Sequence, residues 1–109
     1  NGKFVYVIDA NKYIRLRLAD GKVTLKKKLP TNMYSATMAV DKKGSLYAIG
    51  YYGATLYKIS SRGDIIWKHV FSADYYWPSK ITLSGRKVVV AFDGDPKFAK
   101  AKVDARTGK

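Results

Sequence analysis

The strongest constraint in this chain is a unit of apolar strands and glycine turns that recurs about every 42 residues. In its clearest copy, Gly44-Ser45-Leu46-Tyr47-Ala48-Ile49-Gly50 is a turn followed by an apolar strand. Gly53 to Ile59 is a second strand, Ser60-Ser61-Arg62-Gly63 a turn, and Asp64 to Lys68 a third strand. Gly2 to Ile8, Tyr13 to Leu18 and Ala19 to Val23 repeat that order, with room for the middle strand to slip by one residue. The pairs Gly2/Gly44 and Gly21/Gly63 are each 42 apart, by subtraction of their numbers. A third copy starts at Gly85, with strands at Val88 to Phe92 and Phe98 to Val103 and a turn at Asp104 to Gly108. Gly63 and Gly108 are 45 apart, and Asp93-Gly94-Asp95-Pro96 accounts for the surplus as a wider loop. A short strand precedes the last two copies, at Ala36 to Val40 and at Lys80 to Leu83.

Four short antiparallel strands at this period describe a propeller blade. The fold class expected is therefore all-β: consecutive four-stranded antiparallel propeller blades in an incomplete wheel. The division expected is a partial blade over 1–30, a full blade over 31–71 and a partial blade over 72–109, ten strands in all. Composition agrees. All eight acidic residues are Asp, with no Glu and no Gln, so good helix formers are scarce. Nine Tyr and many Val and Ile suit a pleated surface. Val88-Val89-Val90-Ala91-Phe92 is continuously apolar, which predicts a strand covered on both faces. A wheel closes with roughly four to eight blades. Ten strands leave open faces and edges, so the expected partners are the remaining blades of a parent chain or a second copy. Asn1 at the start reads as the end of a processed or excised piece.

The formal charge is +13, from 21 Lys and Arg. Such an excess reads either as contact with an anionic partner (nucleic acid, an anionic membrane face or an acidic cell-wall polymer) or as an over-charged solvated surface, and the further partners expected are an anionic polymer or a glycan. Lys26-Lys27-Lys28 reads either as a polyanion patch or as an edge strand guarded against unwanted pairing, and the edge reading is preferred. No recognised motif supports nucleic acid. No stretch approaches the roughly 20 apolar residues of a membrane span. The absence of Cys removes disulfides and thiolate chemistry.

The second copy carries Ala39-Val40-Asp41, Gly44-Ser45-Leu46-Tyr47-Ala48, Gly53, Leu56-Tyr57, Ile59, Gly63 and Trp67, and the third ends Val103-Asp104-Ala105-Arg106-Thr107-Gly108. This pattern resembles the PQQ-like β-propeller repeat over almost the whole chain. The first copy has Leu25 where the Trp of the repeat would stand. The resemblance implies a blade scaffold. Quinone binding in such wheels requires a calcium site and dedicated pocket residues, and nothing here matches them, so no cofactor is expected. Propellers of this type are common outside the cytoplasm, which makes export the compartment the resemblance implies; the chain itself carries no address.

Gly21, Gly63, Gly108 and Trp67 are read as structural: glycines for left-handed turns, an indole for packing on the next blade. His69 is the sole His and lacks an evident orienting partner, so it reads as structural. Asp93 and Asp95 resemble the opening of a calcium loop but lack its later ligands, and no metal is expected. The ligand-binding candidates are Tyr34, Tyr75, Tyr76 and Trp77, aromatics between successive blades, where clustered Tyr and Trp serve either recognition or packing. The function expected is a non-enzymatic binding or scaffold module for a protein, glycan or anionic polymer. The alternative is a fragment of a quinone-type oxidoreductase or propeller lyase whose site lies in other blades.

Overall fold

A computed structural model of the chain describes residues 3–30, 37–50, 55–71, 78–92 and 100–109. Ten strands form three antiparallel sheets. The first sheet holds β1 (Phe4–Asp9), β2 (Lys12–Arg17) and β3 (Val23–Lys28), in that order. The middle sheet holds β4 (Thr37–Val40), β5 (Leu46–Ile49), β6 (Thr55–Ile59) and β7 (Ile65–Val70). The third holds β8 (Pro78–Ser84), β9 (Lys87–Phe92) and β10 (Lys100–Asp104). Each strand pairs with its sequence neighbour, as tight turns between short apolar runs require.

The sheets pack face to face through two apolar layers. Tyr6, Tyr13 and Leu29 meet Leu46, Ala48 and Ile59 between the first and middle sheets. Tyr47, Ile49 and Leu56 meet Ile81, Val88, Val90, Phe92 and Val103 between the middle and third. Alternation along β5 divides its side chains between the two layers, so all four of its residues are buried. Each fully buried aliphatic side chain here contributes about 1.5–3 kcal/mol of transfer free energy.

One expectation needs correction. The apolar run of β9 is not covered twice among the described residues. Val88, Val90 and Phe92 are buried against the middle sheet, while Val89 and Ala91, on the other face, are only half-buried. The third sheet ends the stack, and the doubly covered strand is β5.

The repeat is visible atom by atom at the junctions. Leu25 stands opposite Arg15, and Trp67 stands opposite Lys58, each one step beyond the same register shift. Tyr6 pairs with Arg15 as Tyr47 pairs with Lys58. The middle strand has thus slipped by one residue between copies relative to a strict 42-residue spacing. At both junctions the cation reaches across to a turn carbonyl of the next sheet. Arg15 Nη1 donates to Ser61 O at 2.7 Å, and Lys58 Nζ donates to Ala105 O at 2.9 Å. Trp67 Nε1 donates to the same Ala105 O at 2.9 Å. A carbonyl turned toward a neighbouring sheet must find a donor there, and a long cationic side chain provides one without a bulky head in the apolar layer.

Candidate anion-binding cleft

Three turns converge at one end of the middle and third sheets. The first is the β4–β5 turn. Asp41 Oδ1 accepts from the backbone N–H of Lys43 and of Ser45, both at 2.9 Å, and Oδ2 accepts from the Tyr47 hydroxyl at 3.1 Å. This Asp is thereby spent on its own turn. Lys42 and Lys43 are carried at the tip. The second is the β8–β9 turn, which presents Arg86 and Lys87. The third follows β10, where Asp104 Oδ1 accepts from Arg106 N at 2.9 Å and Thr107 N at 3.1 Å. Ala105 N donates to Arg86 O at 2.8 Å and ties the last two turns together.

The turns enclose an open cleft of about 720 Å³. Lys42, Lys43, Lys58, Arg86, Lys87 and Arg106 line it, against one acid, Asp41. Its inner wall is Val40, Leu83 and the Tyr47 ring, with Lys58 Nζ 5.5 Å from that ring's centroid. Burial, aided by the hydrogen bond to Asp41 and its charge, pushes the Tyr47 phenol well above its usual value, so it stays neutral and protonated. The backbone amides of Arg106 and Thr107 hold the nearby Asp104 carboxyl below the carboxylate range, and Lys87 and Arg86 add to this. Both carboxylates are occupied by hydrogen bonds of their own turns, and a surplus of positive charge faces the concavity. Such a surface concentrates anions.

These cations were not among the residues singled out from the sequence. The signal was present, because Lys42-Lys43, Arg86 and Arg106 sit in turns, and Lys87 at the first position of β9, all at the same end of a unit. Only the stacking of two sheets brings them together.

Tyr34, Tyr75, Tyr76 and Trp77 lie outside the described residues, as do Asp93 and Asp95. Lys26, Lys27 and Lys28 stand on β3, an edge of the first sheet, and alternate in direction. Lys27 turns toward the middle sheet and pairs with Asp64, while Lys26 and Lys28 take the opposite face. Gly21, Gly63 and Gly108 have φ of 70°, 84° and 77°. In the middle turn it is the Ser60 hydroxyl, not Asp64, that accepts from the turn amides. Trp67 is half-buried against the Gly108 turn, its ring centroid 6.1 Å from that of Tyr47. His69 Nδ1 lies 2.7 Å from the Gly108 carbonyl, and a carbonyl only accepts, so Nδ1 carries the proton in this bond. Among the described residues no three His, Cys, Asp or Glu side chains gather as a metal site. No described helix is long and apolar enough to cross a membrane.

No family model and no curated protein matches the chain. A solved structure of streptogramin B lyase is similar, with a TM-score of 0.61 and 18% identity. The match covers 95% of this chain and 38% of that one, so the chain spans well under half the neighbour's length. At that identity the likeness carries the fold and no reaction. The sheet order, the repeated junctions and this likeness together make the chain a run of antiparallel β-propeller blades, short of a complete wheel.

Proposed function

We propose that the chain is a non-enzymatic segment of a PQQ-like propeller that holds an anionic polymer or acidic glycan in the cleft between its middle and third blades. One observation carries the reading: six cations surround a cleft whose lone acid is consumed by its own turn and by Tyr47. Support also comes from the net charge of +13. Lys58 and Trp67 also tie the middle blade to the third through Ala105 O, next to Arg106 on the rim of the cleft.

The test is titration with a polyuronate at several salt concentrations. Arg86→Ala, Lys87→Ala and Arg106→Ala combined should weaken binding at least tenfold and flatten the salt dependence, by up to about one unit of log–log slope per cation removed. Lys26→Ala with Lys28→Ala, remote from the cleft, should change affinity far less. Equal losses in the two sets would make the attraction a property of net charge and defeat the cleft as a site.

A further inference from the structure

The two internal junctions define what a blade face in this chain expects to meet, and each end of the stack carries one unmatched half. On the first blade, Val5, Val7 and Val23 are 44%, 37% and 56% exposed. Their register positions are those of Leu46, Ala48 and Ile65 in the middle blade, where Leu46 and Ala48 are buried. Leu18 occupies the turn position of Ser61 and Ala105: its N–H is bound by Lys3 O as that of Ala105 is by Arg86 O. No cation reaches its carbonyl among the described residues. On the third blade, Lys102 stands opposite Val89 as Lys58 stands opposite Tyr47. Lys102 is exposed and has no hydrogen-bond or ion-pair partner among the described residues.

We propose that a second copy of this chain covers the open face of the first blade, head to tail, with Lys102 of one copy donating to the Leu18 carbonyl of the other. The chain itself supplies both halves of the missing junction. The charges at the open faces agree. In the second junction Leu56 and Phe92 share one apolar layer. At the equivalent positions the open faces offer Lys100 and Asp9, both exposed, so a cation meets an acid where the internal junction joins two apolar groups. Two such junctions between two copies bring six sheets into one ring, three from each. Six lies within the range of roughly four to eight at which propellers close, and a head-to-tail contact that closes makes a finite assembly.

Sedimentation velocity on the 109-residue chain at about 50 µM should show one species of twice the 12.2 kDa chain mass. Asp9→Lys should weaken the dimer about tenfold, and adding Lys100→Asp should restore it. Lys102→Met should also weaken it, and circular dichroism checks that each variant keeps its sheets. A monomer at that concentration overturns the proposal. So does a dimer that ignores Asp9→Lys and Lys102→Met, because it would be joined by another surface.

Discussion

Gly108→Ala is expected to lower the free energy of unfolding by about 3 kcal/mol, against about 1 kcal/mol for Gly21→Ala. The two glycines have nearly the same backbone, with φ of +77° and +70°, so an alanine pays a similar left-handed penalty at each. Their surroundings differ. A Cβ on Gly108 would stand 2.6 Å from Trp67 Cδ2 and 2.7 Å from Cε3, closer than real contacts allow. A Cβ on Gly21 would meet nothing within 4 Å among the atoms present. Trp67 has little freedom to retreat, since its Nε1 is bound to Ala105 O and its ring leans on Tyr47. The excess cost therefore measures the blade junction.

Urea unfolding followed by circular dichroism would give both values. Trp67→Leu, which installs the side chain found at the matching position of the first blade, should be costly alone. Combined with Gly108→Ala, its cost should fall short of the sum, because the smaller side chain makes room for the methyl group. Equal losses at Gly108 and Gly21 would mean that the indole does not rest on this turn.

Much of this architecture was legible in the sequence, for reasons that are local. Turn glycines and the Asp-rich, Glu-free composition mark where strands stop, and apolar runs such as Leu46 to Ile49 mark where they lie. The equivalence of Leu25 and Trp67 could be aligned from spacing alone, and the pairing register places both at one position. The coverage of each face was not local. Val88 to Phe92 and Leu46 to Ile49 look alike as strings, yet only the latter lies between two sheets, because coverage depends on the sheet's place in the stack. The junction cations were hidden for the same reason. Arg15 and Lys58 look like surface residues until the next blade brings Ser61 and Ala105 to them. The basic cleft is the extreme case, since its cations come from three turns and from β6, across two sheets, and no window of sequence holds them together.

Alkaline solution should unfold this chain through its buried tyrosines. Tyr13 is fully buried between the first two blades, and its hydroxyl has no hydrogen-bond partner among the described residues. Burial above all, and then the neighbouring Tyr6, pushes its phenol far above the usual value, with Arg15 pulling weakly the other way. Tyr47, in the other junction, is raised by burial and by Asp41. A phenol that ionises near pH 10 in the unfolded chain but resists in the fold gives stability that is complete below about pH 10. Above it the unfolded chain gives up protons that the folded chain retains, so stability falls as pH rises toward the folded values. One pH unit above the unfolded value, each tyrosine should remove about 1.4 kcal/mol.

Tyr13→Phe therefore has two expected results of the same sign and different size. At pH 8 it should raise stability by roughly 1 kcal/mol, by deleting an orphaned buried hydroxyl while keeping the ring. At pH 11 the advantage should grow to about 2 kcal/mol or more, because the variant has no proton to lose there. Tyr47→Phe should lose stability at pH 8, since it breaks the bond to Asp41, yet its deficit should shrink at pH 11. Each variant differs from the wild type at a single phenol, so the difference between variants isolates that group. Urea midpoints at the two pH values decide the matter. A constant gap between wild type and Tyr13→Phe would show that the unfolded and folded phenols ionise together, and that this ring is wet.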